Sequence, residues 1–347
     1  FQQSRARRLD LCSKPFKERA WEQSVRGRVQ MCGIAGVLDR GLMGQAQELA
    51  RRAKAMGDAL AHRGPDSDGI HVEGDHGLAF AHRRLAIVDL TPSGAQPMVS
   101  ADGRYVICYN GEVYNAEDLR KEPDLAGLAW RGHSDTEVIL ELAARRGFEA
   151  VVPLLNGMFA IALWDRKTRV LHLARDRLGI KPLFYRADAS GVLFGSELKA
   201  LFAAQQTAFE IDPASVASFL RFSYVPGPHS IFGGVAKLMP GQIAAFALSN
   251  DGLGAPRLSP YWDLAPIAHA GCAKPLDVTD AEAVAQLTAL LQDAVARQMM
   301  GDVPLGAFLS GGVDSSTVVA LMVAAKQGPV RTFSIGFDEK GFDESPY

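Results

Sequence analysis

"VQMCGIAGVLDR", residues 29–40, sets a cysteine directly after an internal methionine. A thiol, with an ordinary pKa of about 8.5, needs a base beside it to act as a nucleophile at neutral pH. If Met31 is an initiator that is removed, Cys32 becomes a first residue. Its own α-amino group, with a pKa of about 7.7–8, then lies next to the thiol as a general base. A cysteine inside a chain lacks that base, because an amide nitrogen has no comparable basicity. Met31-Cys32 therefore reads as a start, and residues 1–31 as an extension: a propeptide or a non-native upstream segment.

A second stretch, "LSGGVDSS" (residues 309–316), follows an apolar run and opens a helical one. Glycines let backbone N–H groups turn toward an anion, serine hydroxyls add donors, and a helix N-terminus supplies a favourable dipole. This reads as a phosphate cradle. The lysine of a Walker A loop is missing, so it is not an ordinary P-loop acting at a γ-phosphate.

The elements that must position these residues are short strands, turns and a few helices. "CGIAGVLD" begins as a strand, and "AQELARRAKAMGDALAHRG" predicts a helix ended by Gly64-Pro65. "GLAFAHRRLAIVDL" and "RYVICYNGEVYN" read as strands, Cys108 in the second being a small core residue. "SDTEVILELAARRG" predicts a helix that Ser134 caps, with Glu137 completing a capping box and Gly147 ending it. "MFAIALWDRKTRVLHLARD" and "PLFYRADASGVLFGSE" read as hairpins. An antiparallel sheet protein with helices thus spans residues 32–240. A Gly/Pro-rich stretch predicts a linker over 241–274. Beyond it a helix, a buried strand "VPLGAFL", a Gly/Ser turn, a helix and the strand "VRTFSIGF" imply a parallel α/β unit over 275–347.

With 347 residues, 48% of them hydrophobic, the chain can build two domains, and a formal net charge of −2 gives no argument for nucleic acid or an anionic membrane. The longest strongly apolar run, residues 318–325, is too short to span a bilayer, and no segment resembles a signal peptide, so a cytoplasmic location is expected. The four cysteines, Cys12, Cys32, Cys108 and Cys272, lie far apart with no CxxC and no histidine at ligand spacing, which suggests neither zinc nor a disulfide framework. Residues 1–30 read as an irregular basic arm.

"MCGIAGVLDR", "HRGPDSDG", "AHRRLAIVDL", "QPM", "YNGEVYN", "SDTEVIL", "NGMFAIALWD", "ARDRLGIKPLFY" and "SELKAL" resemble, in order and spacing, the glutamine amidotransferase domain of asparagine synthetases. These belong to the class II amidotransferases, a class of N-terminal nucleophile hydrolases. The resemblance implies an αββα sandwich for the first domain. It makes Cys32 the nucleophile on the glutamine amide, and Asn110 and Gly111 the oxyanion hole. Arg84 matches the arginine on the glutamine α-carboxylate and Asp135 the aspartate on the α-ammonium group. Leu85, Ile87, Val88 and Glu112 fall at the glutamine as well. Taken alone, Asn110-Gly111 would be a turn dipeptide, Arg83-Arg84 an exposed basic pair and Asp135 a first-turn acid.

Strand, SGGxDS and helix are likewise similar to the pyrophosphate loop of the N-type ATP pyrophosphatases. By that resemblance Ser310, Gly311, Gly312, Ser315 and Ser316 hold the phosphates of ATP, Asp314 is a Mg²⁺ ligand, and backbone groups of Leu309 and Ile335 hold adenine. The implied reaction makes asparagine from aspartate, ATP and glutamine, in a possible homodimer. A related carboxylate acceptor, a glutaminase-only chain and an inactive fragment stay open as alternatives. Residues 275–347 fall short of a usual domain of about 100–150 residues, and the family's later "SGEGxDE" segment and catalytic lysine are missing. The second domain is therefore expected to be truncated and incomplete for synthesis.

Overall fold

The computed structural model of the chain describes residues 31–204, 209–249, 252–325 and 328–336; the basic arm, residues 1–30 with Cys12, lies outside these. Strands run in chain order as β1 (Gly33–Asp39), β2 (Ser67–Glu73), β3 (Leu78–Arg84), β4 (Met98–Val99), β5 (Tyr105–Val113), β6 (Gly157–Asp165), β7 (Val170–Arg175), β8 (Phe184–Ala187), β9 (Gly191–Gly195), β10 (Val235–Lys237), β11 (Gln242–Ser249), β12 (Gly252–Leu253) and β13 (Arg257–Pro260). They form two antiparallel sheets. One has the order β10-β8-β9-β1-β3-β2, the other β12-β11-β7-β6-β5-β4 with β13 paired to β11.

Strand alternation builds three apolar layers. On β1, Ile34 and Leu38 enter a core with Phe80, Val106, Cys108, Ala160 and Phe194, drawn from both sheets. Ala35 and Val37 point the other way, against Leu49, Ala53 and Met56 of helix α1 (Ala46–Ala59). On β5, Val106 and Cys108 face the other sheet, whereas Tyr105, Ile107 and Tyr109 pack with Val138, Ile139 and Leu142 of helix α2 (Asp135–Arg146). Helix, sheet, sheet, helix is the αββα sandwich anticipated from sequence. Cys108 is fully buried in its central layer, as its alternation implied.

Two local expectations are corrected. The linker expected over 241–274 contains β11, whose "QIAAFALS" buries Ile243 on one side and Ala244, Phe246 and Leu248 on the other. It pairs with β7 from Ile243↔Ala174 to Ala247↔Val170, and β13 pairs in turn with β11. Tyr261 follows, stacked on Phe159 and donating from its hydroxyl to the Arg175 carbonyl at 2.8 Å. The first unit thus runs past residue 240, and the chain divides at Ala270 and Gly271. At α2, Ser134 does accept from the Glu137 N–H and Gly147 does end the helix, but the capping box does not close. The Glu137 carboxylate accepts instead from the backbone N–H groups of Arg131 and Gly132.

In the second unit, helix α3 (Asp280–Gln298) opens with a capping box between Thr279 and Glu282. Strands β14 (Gly306–Phe308) and β15 (Arg331–Phe333) pair in parallel across helix α4 (Val313–Ala325), the strand, helix, strand order read from sequence. "VPLGAFL" would be buried only between further strands and helices of a larger parallel sheet; in this two-stranded one Phe308 is 75% exposed.

Candidate active site

Parity on the strands brings one end of the central layer together. Cys32 precedes β1 in phase with inward-facing Ile34; His82 and Arg84 continue the phase of Leu78 and Phe80 on β3; Asn110 and Glu112 continue that of Val106 and Cys108 on β5. The register Gly33↔Arg83 sets Cys32 beside the end of β3. There the Leu85 N–H donates to Cys32 Sγ at 3.3 Å and the thiol donates to the Leu85 carbonyl at 3.5 Å. Burial pushes the Cys32 thiol up, while the Leu85 N–H holds it down.

Arg63 anchors the backbone on the other side. Its Nε donates to the Cys32 carbonyl at 3.0 Å, its own carbonyl accepts from the Met31 N–H at 2.8 Å, and its guanidinium pairs with Glu197 at 2.9 Å. His82 is a neutral ring here. Its Nε2–H is spent on the Tyr109 carbonyl at 3.0 Å, and burial lowers its pKa to about 4.

Asn110 and Gly111 sit inside β5, opposite Ala160 and Phe159 of β6, so the turn reading of this dipeptide fails. Asn110 is buried, and its Nδ2 is without a hydrogen-bond partner. A side-chain amide inside a protein is rarely left so, because the lost bond costs about 1–3 kcal/mol. Gly111 is required by crowding: a Cβ there would lie 2.2 Å from the Met158 carbonyl oxygen.

Arg84 is not an exposed basic residue but buried, and its guanidinium donates to the carbonyls of Val88 at 3.3 Å, Thr91 at 3.2 Å and Asp89. Half-buried Leu85, Ile87 and Val88 belong to the loop these bonds shape. Asp89 within it is fully buried at φ 54°, and its carboxylate accepts from the N–H groups of Thr91 and His133. Asp135, at the first turn of α2, accepts from Tyr109 Oη at 2.7 Å, the Thr136 N–H at 2.8 Å and the Val113 N–H at 2.9 Å. Burial raises the pKa of Asp135, and burial together with the Asp135 carboxyl raises that of Glu112 to about 8. Three donors hold a charge on Asp135, whereas Glu112 Oε2 has no partner. Of the two carboxyls, Glu112 is thus the one that burial keeps protonated near neutral pH.

Sequence reasoning missed Arg63, Tyr109 and Lys181 as parts of this site. Lys181, 5% exposed, places Nζ 3.2 Å from Met31 Sδ. The signal for it was a lysine between apolar neighbours in "GIKPLF".

In the second unit, the 309–316 loop joins β14 to α4. The Leu309 N–H donates to the Phe333 carbonyl at 2.8 Å, tying the loop's start to β15, and Ser334 Oγ donates to the Leu309 carbonyl at 2.7 Å. Gly311 has φ 84°, which favours glycine, and the hydroxyls of Ser310 and Ser315 meet at 3.1 Å. Asp314 and Ser316 lie exposed in the first turn of α4, and Ile335 is exposed just after β15. Among the described residues no group of three His, Cys, Asp or Glu side chains is placed to hold a metal ion.

Two family models match the chain. The model of the glutamine amidotransferase domain matches residues 31–262, and that of the asparagine synthase family residues 286–347. Two Bacillus subtilis proteins named asparagine synthetase [glutamine-hydrolyzing] 3 and 1 are 40% and 37% identical to this chain, over 89% and 90% of it and 48% and 47% of their own lengths. A putative asparagine synthetase [glutamine-hydrolyzing] 2 of Methanocaldococcus jannaschii is 36% identical over 91% of this chain and 62% of its own. The chain spans about half the length of the two Bacillus relatives. A match over 31–262 that coincides with the two-sheet unit carrying Cys32, Asn110 and Asp135 is decisive: the chain belongs to the glutamine amidotransferase family.

Proposed function

We propose that the αββα unit hydrolyses glutamine and that the 309–316 loop binds ATP, as parts of a protein that makes asparagine from aspartate, ATP and glutamine. The observation that carries the first half is the buried, unpartnered Nδ2 of Asn110, on the same face of the central layer as Cys32. Freed of residues 1–31, Cys32 passes its thiol proton to its own α-amine while Sγ attacks the glutamine amide carbon. Asn110 Nδ2 and the Gly111 N–H then take the oxyanion. The α-amine returns the proton to the leaving ammonia, and water hydrolyses the thioester to glutamate. Arg84 holds the substrate α-carboxylate; Asp135, with Glu112, holds the α-ammonium group. The half-buried Leu85, Ile87 and Val88 line the same end.

In the second half the aspartate β-carboxylate attacks the α-phosphorus of ATP, pyrophosphate leaves, and ammonia displaces AMP from the acyl-adenylate. Aspartate is the acceptor because the relatives are named for asparagine. Backbone N–H groups of Gly311 and Gly312 and the hydroxyls of Ser310, Ser315 and Ser316 receive the phosphates at the start of α4, and Leu309 and Ile335 flank the adenine. Asp314, whose carboxylate is exposed at the start of α4, would hold a Mg²⁺ ion. When bound, Mg²⁺ neutralises phosphate charge. No helix among the described residues is long and apolar enough to cross a membrane.

The test is to separate the nitrogen sources. In the whole protein that carries this chain, Cys32→Ala should abolish asparagine formation from glutamine and spare formation from added ammonia. Loss of both in a folded variant would refute the two-site reading.

A further inference from the structure

Lys181 lies between β7 and β8 in a loop built by Asp176. The Asp176 carboxylate accepts from the backbone N–H groups of Leu178 at 3.1 Å, Ile180 at 2.9 Å and Lys181 at 3.0 Å, and from Phe159 on β6 at 3.2 Å. Both the start and the end of the loop are thereby fixed to the sheet. The lysine side chain is carried inward, where its Nζ meets the Met31 thioether at 3.2 Å.

A thioether is a weak acceptor and brings no charge, and a buried ammonium costs free energy unless a charge answers it. Burial lowers the pKa of Lys181, and Arg63 adds to this, whereas Glu112, Cys32 and Asp176 favour its charge. The groups acting on Cys32 are Glu112, Lys181 and Arg84. Of the two cations, Arg84 is engaged with three backbone carbonyls. Glu112 holds its proton at neutral pH and offers Lys181 little charge. The Asp176 carboxylate is already answered by the four backbone N–H groups that build the loop, which leaves the sulfur as the place beside Lys181 where a further anion forms.

We propose that Lys181 is a positioning residue of the glutaminase site, its ammonium held by the Asp176 loop beside Met31-Cys32 so that it stabilises the Cys32 thiolate. In the reaction the thiol proton goes to the α-amine, the sulfur electron pair forms the bond to the glutamine carbon, and Lys181 keeps its own protons. The proposal deepens the glutaminase reading and rests on it for the role of Lys181 in turnover.

Alkylation of Cys32 by iodoacetamide, followed across pH by peptide mass spectrometry of the 347-residue chain, tests it without glutamine. Lys181→Met should raise the alkylation midpoint by about one pH unit, roughly tenfold less thiolate at neutral pH, and Lys181→Arg should restore it. One midpoint for all three chains would overturn the proposal. The coupling is also reciprocal. In Cys32→Ala the Lys181 ammonium, followed by nitrogen NMR, should lose its proton at lower pH than in the parent chain; an unchanged titration would overturn the proposal even if Lys181→Met does not fold. Failure of the glutaminase reading would show separately, as no glutamate formed from glutamine.

Discussion

Leu85 brackets the Cys32 sulfur from both sides, its N–H donating at 3.3 Å and its carbonyl accepting at 3.5 Å. Leu85 follows Arg84 directly, so the proposed nucleophile and the proposed anchor of the substrate carboxylate are set by two consecutive residues. The distance between them is a property of β3 and its exit loop rather than of two independent side chains. Sites held by backbone in this way are tuned by the loop that continues them.

Asn110→Ala should lower glutamine turnover by about 10²–10³ and leave KM little changed, because the lost donor acts on the oxyanion and not on the ground state. It should cost little stability, since Nδ2 has no partner to lose. Steady-state kinetics and thermal unfolding of the variant check both; a tenfold or larger rise in KM at unchanged kcat would contradict the assignment.

Arg84→Ala should raise KM for glutamine and also lower stability, because three carbonyls of the 88–91 loop lose a charged donor. The unfolding midpoint falls, by an amount set by roughly 1–3 kcal/mol. Arg84→Lys should not recover KM, since an ammonium cannot reproduce the fork. Normal KM in the lysine variant would remove Arg84 from the carboxylate site.

Glu112 gives a pH signature. Its folded-state pKa, raised from 4.5 to about 8 by burial and by Asp135, means the native state holds a proton that the unfolded chain releases. The sign follows: this stability is fully present below pH 4.5 and is lost as pH rises through 8. Between those values unfolding should become easier with pH, and Glu112→Gln should remove that slope. Glutamine, which brings an ammonium group, should bind more tightly as pH rises from 7 to 8.5 in the parent and not in Glu112→Gln. Parallel profiles for the two chains would contradict the protonated assignment.

Gly311→Ala should weaken ATP binding at least tenfold, because φ 84° is strained for any side chain and the loop must turn its N–H groups elsewhere. Equilibrium binding of ATP to the whole protein that carries this chain measures it. Unchanged affinity would detach the loop from the phosphates.

Much of the fold was legible because its strands are apolar runs bounded by turns: β5 and β6 are buried on both faces, and α2 carries both a cap and a stop. The strand β11 was lost in a linker because the Gly and Pro residues that follow it outweighed the alternation of "QIAAFALS". The capping box failed for a tertiary reason, since the 130–133 segment folds back and offers Glu137 two other N–H groups. Cys32, Asn110 and Asp135 were legible as members of ordered segments. Arg63, Tyr109 and Lys181 lie in the same ordered segments but were not singled out, because what each does depends on a fold contact, with Cys32, Asp135 and Met31 respectively. Whether Arg84 was exposed or buried could not be read either, as its partners are backbone carbonyls that any sequence supplies.

The central claim is that Cys32 acts with its own α-amine. The direct measurement compares glutamate formation from glutamine by a chain whose first residue is Cys32 with formation by the 347-residue chain that keeps residues 1–31, both verified by intact mass. The account predicts turnover from the first and none above background from the second, with Cys32→Ala in the first returning to background. Equal turnover from the two chains would contradict it and show that another group takes the thiol proton.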